Sequence, residues 1–129
     1  MKKILIIEDE SPLLEVMIEK FNLEGFETLG AKNGVDGLYL AHKQHPDLII
    51  LDIVMPKMDG MEMMQKLRED AWGKKVPVII LTNLNLEEMK ILGKSKIPDQ
   101  VEKDKPLHYF VKADMKLEDV VKTAKAAVA

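Results

Sequence analysis

Three short apolar runs constrain this chain more than anything else in it: Ile4-Leu5-Ile6-Ile7, Leu48-Ile49-Ile50-Leu51 and Val78-Ile79-Ile80-Leu81. A strand with one wet face alternates apolar and polar residues, whereas an unbroken apolar run suits burial on both faces. Between the runs, apolar residues recur at the 3- and 4-residue spacing of an amphipathic helix. Strands alternating with helical patterns indicate an α/β fold with a mainly parallel sheet. The 129 residues suffice for one domain with one core.

Local signals divide the chain further. The first strand covers Lys3 to Glu8. Ser11 is placed to cap the next helix and Pro12 to occupy its first turn, with Leu14, Met17, Ile18 and Phe21 inward and Gly25 as the stop. Glu27 to Ala31 alternates only partly and is expected at a sheet edge. Asn33-Gly34 starts a second helix, with Leu38, Ala41 and Val35 as candidate inward residues, and His45-Pro46 closes it. Leu48–Asp52 and Val78–Thr82 are expected as central strands. A third helix runs from Gly60 to Glu69 with Met63, Met64 and Leu67 inward. Asn85 and Glu88 form a capping box for a short fourth helix. The stretch from Gly93 to Leu107 is irregular. Tyr109-Phe110-Val111 is a short last strand ending at Lys112, and a final helix begins near Lys116, burying Leu117, Val120, Val121 and Ala124.

Composition removes several classes of function. There are no cysteines, which excludes disulfides and thiolate metal sites. A net charge of −3 argues against direct contact with nucleic acid. The apolar run after Met1-Lys2-Lys3 is too short for a signal-peptide core, and no stretch is long enough to cross a bilayer. A cytoplasmic domain without a membrane partner is the expectation. His42, His45 and His108 lack metal-ligand spacing, and the methionines clustered from Met55 to Met64 suit core and turn packing.

The chemistry lies where the strands end. Glu8 and Asp9 follow the first apolar run, Asp52 follows the second, Thr82 follows the third, and Lys112 follows the last strand. In open parallel sheets these C-terminal strand ends line the ligand crevice. Close carboxylates repel by about 4 kcal/mol per pair at an effective dielectric near 20. Mg²⁺, which takes oxygen ligands from one or two carboxylates, relieves that repulsion. Asp52 could then act as a carboxylate nucleophile and form an aspartyl phosphate. Lys112 could pair with one phosphoryl oxygen and Thr82 hydrogen-bond to another. Glu10 and Asp59 are better read as solvated side chains or as turn and cap residues.

The motifs Ile6-Ile7-Glu8-Asp9, Asp52-Ile53-Val54-Met55-Pro56-Lys57-Met58-Asp59-Gly60, Leu81-Thr82-Asn83 and Tyr109-Phe110-Val111-Lys112 resemble, in this order, the receiver domains of bacterial two-component response regulators. The resemblance covers essentially the whole chain, 1–129, as one receiver domain. It implies a doubly wound (βα)₅ fold with strand order 2-1-3-4-5. It implies phosphorylation of Asp52 by a histidine kinase or histidine phosphotransfer protein, with Glu8, Asp9, Asp52 and the Val54 carbonyl around Mg²⁺. Thr82 and Tyr109 would form the switch pair, and an output protein would bind through the fourth helix, the last strand and the final helix. Such a domain catalyses only its own phosphorylation and dephosphorylation.

Three departures from the family pattern carry expectations of their own. Ala113 stands where a proline, joined through a cis bond, usually follows the lysine. A cis bond to a non-proline residue costs about 3–4 kcal/mol, so either a trans bond with a shifted lysine or a strained bond is expected. The segment from Thr82 to Lys112 is about eight residues longer than the pattern, which suggests a specialised output surface. Val54 and Leu84 cannot orient a water beside the phosphoryl group, so its loss should be slow. The chain ends soon after the final helix, as expected of a stand-alone receiver or a piece of a larger regulator. The rival reading is a receiver-like interaction module that is not phosphorylated. A flavodoxin-like cofactor binder is disfavoured, because Glu8-Asp9-Glu10 would repel phosphate.

Overall fold

The structure is a computed structural model that describes residues 1–53, 58, 60–83 and 107–129. Its five strands are β1 (Lys3–Ile7), β2 (Glu27–Ala31), β3 (Leu48–Asp52), β4 (Val78–Thr82) and β5 (Leu107–Val111). They form one parallel sheet in the order β2-β1-β3-β4-β5. The helices among the described residues are α1 (Ser11–Leu23), α2 (Gly34–Gln44), α3 (Gly60–Leu67) and α4 (Leu117–Ala127). The helix expected at Asn85 and most of the 93–107 stretch lie outside the described residues, as do Val54 and Leu84.

The unbroken runs are buried on both sides, as their composition requires. Every residue of β3 and of β4 is buried. Leu5, Ile7, Ile49, Leu51, Val78 and Ile80 point to one layer, where Ala41 of α2 and Met61, Met63, Met64 and Leu67 of α3 cover them. Ile4, Ile6, Leu48, Ile50, Ile79 and Leu81 point to the other, under Leu14, Met17 and Phe21 of α1 and Val120, Val121 and Ala124 of α4. The alternation of side chains along each strand sorts the core into these two layers. β2 is an edge strand, as its weak alternation suggested.

Element ends follow local chemistry, with some corrections. Gly25 adopts φ 92°, and the Phe26 N–H closes the end of α1 onto the Phe21 carbonyl at 3.0 Å. Ser11 is the first helical residue rather than the cap; Glu10 holds the cap position. Asn33 caps α2 by accepting from the Asp36 N–H at 2.9 Å, and His45 ends it in the left-handed region. Val35 is not inward: it is 48% exposed. Gly34 and Gly37 take the buried positions instead, because α2 lies so close to β1 that a Cβ on Gly37 would stand 2.5 Å from Ile7. Leu117 is only partly buried. α3 stops at Leu67, and β5 begins two residues earlier than expected, pairing Leu107 with Val78.

Candidate functional site

The strand order reverses direction at β1 and β3, which sit side by side although β2 lies between them in sequence. The crevice of a doubly wound sheet opens at such a switch point. Glu8 leaves the end of β1, its N–H held by the Ala31 carbonyl at 2.9 Å. Asp9 follows it. Asp52 is the last residue of β3. The start of α3 is tied to the end of β3: the Gly60 N–H donates to the Ile53 carbonyl at 2.7 Å. A Cβ on Gly60 would meet the Asp52 carbonyl oxygen at 2.4 Å, so only glycine allows this approach.

These elements bring Glu8, Asp9 and Asp52 together. One carboxylate oxygen from each lies within 4.8 Å of the other two. Glu8 and Asp52 are buried and Asp9 is partly so. Lys112 reaches the same point from the end of β5. Its Nζ donates to Glu8 Oε1 and to Asp52 Oδ2, the latter at 3.1 Å, and lies 3.8 Å from Glu10 Oε1. The second Glu8 oxygen, Oε2, is buried without a hydrogen-bond partner among the described residues.

One ammonium cannot neutralise two buried carboxylates. The shortfall falls on Glu8, whose carboxyl is pushed up to about 8, first by burial and then by its hydrogen bond to Asp52, with Lys112 opposing the rise. Burial pulls Lys112 down, but the hydrogen bond to Glu8 and the charges of Asp52 and Glu8 outweigh it and hold the ammonium above the ordinary lysine value. The pocket thus keeps a charged lysine beside a carboxyl that gives up its proton reluctantly. Its donors are hard oxygens, one of them buried and unbonded, and that set fits a small dication.

The other residues singled out in the sequence are placed around this point. Thr82 ends β4 and is fully buried, one residue beyond Leu81, the register partner of Asp52. Its carbonyl accepts the Lys112 N–H at 2.7 Å, which anchors the lysine backbone next to it. Tyr109 pairs with Ile80, so alternation puts its ring on the same sheet face as Thr82, packed against the core. No cis peptide bond occurs among the described residues. The Lys112–Ala113 bond is therefore trans, and the ammonium still reaches Glu8 and Asp52.

Glu10 is exposed and holds the cap position of α1, as read from the sequence, and its Oε1 also approaches Lys112. One residue was not singled out in the sequence. Arg68 is buried, and its Nη1 donates to the carbonyls of Gly73 and, at 2.8 Å, of Val76. Its position four residues after Met64, just past the end of α3 and in line with that helix's buried stripe, was the available signal.

Comparison with known proteins identifies the family and agrees with the fold. The family model described as "Response regulator receiver domain" matches residues 4–113. Protein PilH of Pseudomonas aeruginosa is 40% identical over 97 residues, covering 73% of this chain and 78% of that protein. The probable transcriptional regulator ycf27 of Galdieria sulphuraria is 38% identical over 92 residues, 71% of this chain. The match spans only 35% of that regulator's own length. The chemotaxis protein CheY4 of Vibrio cholerae superposes with a TM-score of 0.81 at 27% identity, covering 98% of both chains. The receiver domain of the Francisella response regulator 1452 gives 0.80 at 26% identity, covering 99% of this chain and 97% of that one. No described helix is long and apolar enough to cross a membrane. By sequence and by fold, the chain belongs to the response regulator receiver domain family.

Proposed function

We propose that the whole chain, 1–129, is one receiver domain switched by phosphorylation of Asp52, with a histidine kinase or a histidine phosphotransfer protein as donor. The observation that carries this reading is the convergence of Glu8, Asp9, Asp52 and Lys112 at the C-terminal edge of β1, β3 and β5. Buried like charges are costly to a fold. Family membership supports signalling as the use of that site.

In the proposed reaction a carboxylate oxygen of Asp52 attacks the phosphorus of a phosphohistidine. The new P–O bond forms as the P–N bond breaks, and the released imidazole takes up a proton. Glu8, Asp9 and Asp52 would hold Mg²⁺, with the Val54 carbonyl as a further ligand inferred from the family pattern. When bound, Mg²⁺ supplies neutralisation and alignment of the phosphoryl oxygens. Lys112, anchored through its backbone on Thr82, offers its ammonium to one phosphoryl oxygen, and the Thr82 hydroxyl donates to another. Tyr109, on the same face as Thr82, would follow that hydroxyl inward and so relay the change to the open edge of β5 and to α4. An output protein would bind there and on the segment after Thr82. Loss of the phosphoryl group would be slow, since neither Val54 nor Leu84 can orient a water.

Transfer from a phosphorylated histidine kinase tests the reading. Label should pass to the wild-type chain only with Mg²⁺ and not to Asp52→Asn. Equal labelling of Asp52→Asn would place the acceptor elsewhere. No labelling of either, from several kinases, would favour an interaction module that is not phosphorylated.

A further inference from the structure

Glu10 holds the cap position of α1, and its carbonyl accepts the Leu14 N–H at 3.0 Å. A carboxylate at a helix start ordinarily accepts from the free amides of the first turn. Glu10 makes no such side-chain bond. Its Oε1 lies instead 3.8 Å from Lys112 Nζ. The side chain is 58% exposed, so it stands at the mouth of the pocket, outside the set of three carboxylates that could hold a cation.

The Lys112 ammonium bonds both Glu8 and Asp52, two members of that set. A dication that draws on the same two carboxylates repels the ammonium at close range, and the two cannot share the space. The lysine backbone cannot follow its side chain. Its N–H is tied to Thr82, and the Asp114 N–H closes the next turn onto the Val111 carbonyl at 3.1 Å. The ammonium can therefore only swing about this anchor. Glu10 is the acidic group already beside it that the cation does not need.

We propose that Glu10 is a positioning residue that takes over the Lys112 ammonium when a dication enters between Glu8 and Asp52. The lysine is then kept charged and near at the mouth of the pocket, where a phosphoryl group would arrive. This rests on the metal-assisted reading given above.

Mg²⁺ titration by calorimetry tests it on the full chain, with wild type, Glu10→Gln, Lys112→Met and the double variant. Removing the ammonium should tighten Mg²⁺ binding by about tenfold. Glu10→Gln should weaken binding by about threefold in the wild-type background and leave it unchanged beside Lys112→Met. If Lys112→Met does not fold, Lys112→Gln serves the same cycle. Equal weakening by Glu10→Gln in both backgrounds would mean that Glu10 attracts the cation only through its charge, and would overturn the proposal. Absence of Mg²⁺ binding in all the proteins would overturn the metal-assisted reading and the proposal with it.

Discussion

At the N-terminal edge of the sheet, Arg68 is only 8% exposed and its Nη1 donates to the carbonyls of Gly73 and Val76. Nearby, His45 and Trp72 stack with ring centroids 4.3 Å apart, and Asp47 accepts the Lys3 N–H at 2.8 Å. At the C-terminal edge, Glu8 and Asp52 are buried at least as deeply, but Lys112 bonds both of them and one Glu8 oxygen is left over. Buried polar groups that end on backbone carbonyls fasten loops to the sheet. Buried charges that end on one another leave repulsion that an added cation can relieve. On this reading the first edge is expected to hold the fold together, and the second to lower its stability when no cation is bound.

The largest expected effect falls on the first edge. Arg68→Met should lower the unfolding free energy in urea by about 3 kcal/mol, because charged hydrogen bonds to two carbonyls are lost inside the protein. Mg²⁺ affinity measured below the unfolding transition should not change. A loss of metal binding in this variant would mean that the two edges are coupled and would break the comparison.

The second edge should respond in the opposite sense. Without metal, and above about pH 8 where Glu8 is ionised, Asp52→Asn is expected to raise the unfolding free energy by about 1 kcal/mol, since it removes a like charge beside Glu8. The same variant should lose most of the stabilisation that Mg²⁺ gives the wild type. Destabilisation by Asp52→Asn would show that its bond to Lys112 outweighs the repulsion.

The smallest effect is a slope with pH. The Glu8 carboxyl rises from an ordinary 4.5 to about 8 on folding, so the folded state holds the extra proton between those values. Its contribution is therefore present at acid pH and lost as pH rises through about 8. Metal-free wild type should lose stability across that window, and Glu8→Gln should flatten the loss. A stability that rises with pH in wild type relative to Glu8→Gln would contradict the assignment.

How much of this was visible beforehand depends on the kind of contact involved. The three apolar runs specify strands buried on both faces between helical layers, whereas the strand order came from the family resemblance. The convergence of Glu8, Asp9, Asp52 and Lys112 was legible because each ends or directly follows a strand, and strand ends converge in this topology. Val35 misled because helical spacing marks a face but not how closely the helix rides: Gly37 lets α2 settle onto Ile7, and the buried stripe shifts with it. Arg68 was hidden because arginine near a helix end usually reads as solvated, and only tertiary packing shows the carbonyls it meets. Ala113 suggested a displaced or strained lysine. A long flexible stem lets the ammonium find Glu8 and Asp52 from a trans backbone, which sequence spacing cannot reveal.

The most direct test of the central claim is the intact mass after incubation with acetyl phosphate, with and without Mg²⁺, beside Asp52→Asn. The account predicts the gain of one phosphoryl group in wild type only, and only with the metal. A gain that is independent of Mg²⁺, or that persists in Asp52→Asn, would contradict it.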